Sequence, residues 1–114
     1  MGYDTTHRDA VESVVPEEFG GMWFLKDELN ATELGLTVLE LEPGGKGKEH
    51  DETESGQEEI YYVVEGEVDI HLDSETVTLG EGEAIRLDAS QRRQIENSGE
   101  MRAMLVLAGA PLDR

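Results

Sequence analysis

The feature that most constrains this chain is its punctuation. Turn-forming clusters interrupt it at regular spacing: Pro43-Gly44-Gly45, Gly66, Asp73-Ser74-Glu75, Gly80-Glu81-Gly82, Asp88-Ala89-Ser90 and Asn97-Ser98-Gly99. The runs between them are short and alternate apolar with polar residues, which is the period of a β-strand. With one more run at 19–25, this makes about eight short strands and almost no helix, the pattern of a sandwich or a small barrel.

Alternation assigns faces. In 34–41, Leu34, Leu36, Val38 and Glu40 share one face, with Thr37, Leu39 and Leu41 on the other. In 59–64, Glu59, Tyr61 and Val63 oppose Ile60, Tyr62 and Val64. Val68, Ile70 and Leu72 face inward while Glu67, Asp69 and His71 stay wet. The double arginine at Arg92-Arg93 splits across its strand, which sends Arg92 to a surface ion pair. Residues 101–108 are the most apolar run and read as a central strand. The aromatic stretch 19–25 reads as a strand whose aromatics pack on the barrel or on a second subunit rather than bind a ligand. Residues 1–15 suit a short helix or a frayed arm, and Pro16 ends them.

At 114 residues the chain makes one domain. It divides into an N-terminal arm and strand (1–32), a barrel (33–109) and a tail (110–114). Acidic residues outnumber basic ones 27 to 9, for a net charge of −18, and they are interleaved along the chain. Such self-repulsion opposes a compact state in dilute buffer and is screened at molar salt. With three Lys against six Arg, the composition reads as the surface of a halophile's protein. Phosphate backbones would be repelled, so nucleic-acid binding is not expected. There is no cysteine, hence no disulfide or thiolate chemistry. No apolar run reaches membrane-spanning length and the N-terminus is too polar for a signal peptide, so the expectation is a soluble cytoplasmic protein.

The chemistry concentrates in 43–66, PGGKGKEHDETESGQEEIYYVVEG. A Gly-rich turn leads into His50, Asp51, Glu52, Glu54, Glu58 and Glu59, and then into a strand. These residues fit a metal site or an ordinary acidic loop. Asp51, Glu52 and Glu54 fit solvated loop carboxylates. Glu59 lies on an inward face, where burial requires a partner, and Tyr61 shares that face. His7 and His71 receive no role.

This stretch resembles the first motif of the cupin family. Pro43-Gly44 opens it, His50 follows Gly44 after five residues, Glu52 stands where a second His belongs, and Glu59 precedes Gly66 by six residues. The gap between Glu52 and Glu59 is longer than usual in the family. A second motif matches in spacing at 82–97, with Asp88 for the usual Pro, Ser90 for the usual Gly, Arg93 where the metal-binding His belongs, and Asn97 in place. The resemblance implies an all-β double-stranded β-helix, a small jelly-roll barrel, and a homodimer formed through the arm or an outer sheet face.

It also implies two site readings. In one no metal binds: Arg93, a cation that cannot ligate a metal, enters the pocket mouth, pairs with Glu59 or Glu52, and joins Tyr61 and Glu59 around a small, anionic ligand. In the other, His50, Glu52 and Glu59 hold a divalent Mn, Fe, Zn or Ni. The metal-free binding module is the leading expectation, a metal-dependent dioxygenase or isomerase for a small polar substrate is the alternative, and an interaction module with a filled barrel is the third.

Overall fold

The computed structural model of the chain describes residues 2–112. It contains eight strands: β1 (Gly20–Phe24), β2 (Gly35–Leu41), β3 (Gln57–Glu65), β4 (Val68–His71), β5 (Thr76–Leu79), β6 (Ala84–Leu87), β7 (Gln94–Glu96) and β8 (Ala103–Pro111). Two short 3₁₀ turns, Arg8–Ala10 and Glu17–Phe19, precede them. All pairings are antiparallel. One sheet runs β1-β2-β8-β3-β6 and the other β5-β4-β7. The fold is the double-stranded β-helix that the two spaced motifs imply. Among the described residues, no helix is long and apolar enough to cross a membrane.

Strand alternation built the core. Tyr61 and Val63 are buried between the sheets, at 4% and 0% exposure, while Ile60 and Tyr62 stand outside at 46% and 45%. Val68 and Ile70 of β4 and Leu39 and Leu41 of β2 join the same core. The apolar run at the end of the chain is central, as its composition requires, because β8 pairs with both β2 and β3.

The arm is extended apart from its two short turns. Ser13 ties it to β1: its Oγ accepts from Met22 N–H at 3.0 Å, and Val14 N–H donates to Met22 O at 2.9 Å. Arg8 lies 4.5 Å above the Trp23 ring and pairs with Glu40, which Arg102 holds from its other side. The outward Glu40 is therefore 2% exposed, buried under two guanidinium groups rather than in the core. Gly20 permits the arm's close entry: with φ at +122°, an added Cβ would lie 1.9 Å from Glu40 O.

Asn97 closes the turn before β8. It is fully buried, its Nδ2 donates to Leu41 O at 2.9 Å and Met101 O at 2.8 Å, and its Oδ1 accepts from Gly99 N–H at 3.1 Å. Asn97→Ala leaves two carbonyls and one amide unpaired, and is expected to cost about 2 kcal/mol in urea unfolding. Asn97→Asp should cost at least as much, because a carboxylate has no donor for the two carbonyls.

Candidate functional site

The segment before β3 runs against β7. His50 N–H donates to Arg93 O at 3.0 Å and Arg93 N–H donates to His50 O at 2.8 Å. A mutually bonded antiparallel pair sends both side chains to one face, so His50 and Arg93 point inward together. Glu59 reaches the same space from β3, where it pairs with Leu87 of β6 and Gly109 of β8. Gly109 leaves that space open: a Cβ there would lie 3.4 Å from the Glu59 side chain.

His50, Glu52 and Glu59 each present a ligand atom, and those atoms lie within 4.8 Å of one another. His50 Nδ1 lies 2.9 Å from Lys48 O. A carbonyl only accepts, so Nδ1 donates to it and Nε2 is the ring nitrogen turned towards the carboxylates. Nε2 is 3.3 Å from Glu52 Oε2, and Ser55 Oγ donates to Glu52 Oε1 at 2.8 Å. Glu52 N–H donates to Ala89 O at 2.7 Å. Glu52 is thus tethered beside His50 within its loop, partly rather than fully exposed. Its position needs the loop folded against Ala89, a long-range contact with no local signature.

Arg93 is fully buried, with Nη2 3.5 Å from Glu59 Oε1 and donating to Asp88 O at 3.3 Å. Its Nε and Nη1 have no protein partner. Tyr61 OH donates to the same Glu59 oxygen at 3.3 Å. Burial raises the Glu59 carboxyl above its usual range, helped by the Glu52 charge and opposed by Arg93 and His50. Burial likewise raises the Tyr61 phenol, which stays neutral.

A cleft of about 500 Å³ opens beside this group. Its walls include His50, Glu52, Gln57, Glu59, Tyr61, Thr37, Lys26, Met22 and Phe24. Arg93 is not among them: it stands behind Glu59, away from the mouth where the sequence motif suggested it. Phe24 is half-exposed at this wall and not in the core. Alternation along β1 carried that signal, since Met22 and Phe24 pair with Leu39 and Thr37 and turn inward with them while Trp23 turns out. Arg92 pairs with Glu49 at 2.7 Å on the surface, and His71 bonds Glu96 and Thr76 away from the cleft.

The barrel can be compared with known proteins on this basis. The family model described as "Cupin domain" matches residues 37–109. The chain is 31% identical over 107 residues to tetracenomycin polyketide synthase protein TcmJ of Streptomyces glaucescens, across 90% of this chain and 70% of that protein. It is 33% identical over 79 residues to polyketide synthase CurC of Streptomyces cyaneus, across 69% of this chain; the match spans about half of CurC, 49%. The crystal structure of a cupin protein from Bacteroides fragilis superposes with a TM-score of 0.77 at 21% identity, covering 99% of this chain and 87% of that one, a likeness of fold.

Proposed function

Because the chain belongs to the cupin family, we propose that its cleft is a small-molecule site organised by a divalent cation on His50, Glu52 and Glu59. The observation that carries this reading is the convergence of three ligand atoms within 4.8 Å at the wall of an open cleft. The donor set fits the group: one imidazole, oriented through its Nδ1 on a backbone carbonyl, and two carboxylates suit Mn, Fe or Zn. Two carboxylates this close repel each other, and a cation relieves that repulsion. Such an ion supplies Lewis-acid polarisation of a substrate oxygen. The chain's own residues do the rest. Ser55 orients Glu52, Lys48 O orients His50, and Tyr61 hydrogen-bonds Glu59. Gln57, Thr37 and Lys26 offer polar contacts to a small polar substrate. The names of TcmJ and CurC tie those relatives to polyketide synthesis, which makes an oxygenated polyketide-type molecule the first substrate class to try.

A second reading rests on Arg93. Its guanidinium already gives Glu59 a positive neighbour, so the cleft could bind a small molecule with no cation. Metal content of protein purified at molar salt, without chelator or nickel resin, separates the two. The cation reading expects about one equivalent per chain, a rise in melting temperature with added Mn, Fe or Zn, and loss of both in His50→Ala and Glu59→Gln. Protein free of metal and unmoved by any of these ions would overturn it and leave the Arg93 reading.

A further inference from the structure

A second chamber of about 300 Å³ lies between the barrel and the N-terminal arm. Its walls are apolar, with Val15, Phe19, Leu41, Ile95 and Leu107 prominent. It shares Met22, His50, Tyr61 and Leu107 with the cleft. Lys46 and Lys48 also line it, and both are exposed.

The distribution of positive charge singles these lysines out. Every described arginine is in an ion pair: Arg8 and Arg102 with Glu40, Arg86 with Glu58 and Asp88, Arg92 with Glu49, and Arg93 with Glu59. Among the described residues none of the three lysines has a carboxylate within ion-pair distance, although the chain carries 27 acidic residues. All three line a cavity: Lys26 the cleft, and Lys46 and Lys48 the chamber. On a surface this acidic, an ammonium left unpaired beside an apolar hollow is where an anion can be held.

We propose that this chamber is a second binding compartment, which takes the apolar body of an amphiphilic anion and pairs its charged group with Lys46 and Lys48. The ligand class is an aryl or alicyclic carboxylate, with the ring against Phe19, Leu41 and Ile95 and the carboxylate at the rim. Burial of the ring drives binding and the two lysines choose the anion over a neutral isostere. The chamber holds its ligand whether or not the cleft holds a cation.

The probes are naphthalene-2-carboxylate and its neutral analogue naphthalene-2-carboxamide, titrated by calorimetry at one fixed salt concentration. The carboxylate is expected to bind more tightly, by about tenfold, as two exposed charge pairs allow. Lys46→Gln/Lys48→Gln should abolish that preference and leave the carboxamide affinity unchanged, while Lys46→Arg/Lys48→Arg should keep it. Val15→Trp, which fills the chamber from the arm, should weaken both probes. Glu59→Gln should weaken neither, so failure of the cation reading leaves this result standing. Equal affinity for the two probes, or a preference that survives in the double Gln variant, overturns the proposal. So does methyl NMR in which carboxylate shifts Ile60 on the outer sheet face instead of Ile95 and Leu107.

Discussion

Arg93→Ala is expected to destabilise the fold by about 3–5 kcal/mol, read as a fall in the urea midpoint with unchanged slope. The side chain is fully buried, so truncation opens a cavity between the sheets. It also strips Glu59 of the guanidinium 3.5 Å away, while the charge of Glu52 continues to act on it. The loss carries a pH signature. Burial holds the Glu59 carboxyl above its ordinary value, and Arg93 pulls it back down. Without Arg93 the folded-state pKa rises further above the unfolded one. The folded protein then binds the extra proton, so the penalty is full at neutral pH and shrinks as pH falls through the raised value towards the ordinary carboxylate range. A deficit independent of pH would mean that lost packing alone is responsible.

The same site predicts its own repair. Nε and Nη1 of Arg93 have no protein partner, so the native pair is a costly one to bury. Arg93→Met with Glu59→Gln removes both charges and keeps most of the volume. It should recover to within about 1 kcal/mol of the parent. Full loss in the double variant would show that the guanidinium makes contacts that the ion pair does not account for.

Most strands were legible because they alternate apolar with polar residues and stop at turn residues, while β8 was legible as the most apolar run. Asn97, His50 and Glu59 were singled out through the resemblance to the two cupin motifs. The placement of Arg93 was half legible. Its position in the second motif implied an inward side chain near Glu59, and the backbone pairing with His50 delivers that. Its depth depends on how β3 and β6 meet, and no local pattern encodes this. Glu40 shows the limit from the other side. Alternation put it on one face with Leu34, Leu36 and Val38, without saying what covers a carboxylate there. Its burial comes from Arg8, thirty-two positions away, and Arg102, sixty-two away. The lysines are a similar case: their scarcity is visible in the composition, but their convergence on two cavities needs the fold.

Salt is expected to have the other large effect. The chain carries a net charge of −18, and its five described arginines engage Glu40, Glu42, Glu49, Glu58, Glu59 and Asp88. Among the described residues, most of the other carboxylates have no arginine within ion-pair distance. Their mutual repulsion reaches about 10 Å at 0.1 M salt and about 3 Å at 1 M. Raising NaCl from roughly 0.05 M to molar should therefore stabilise the fold by several kcal/mol, seen as a steep climb in melting temperature. Acid should partly replace salt. At low ionic strength, lowering the pH from 7 towards the sequence pI of about 4.2 protonates exposed carboxylates and should raise stability before the paired ones are lost. A melting temperature indifferent to NaCl would overturn this, and one raised by sulfate but not by chloride would replace screening with surface exclusion as the cause. Screening also bears on the chamber. The global field repels an incoming carboxylate at low salt, while Lys46 and Lys48 attract it over a few Å. Affinity for naphthalene-2-carboxylate should therefore rise with salt while the long-range repulsion is being screened, and then level off as the short-range pairs weaken. The neutral carboxamide should show neither phase.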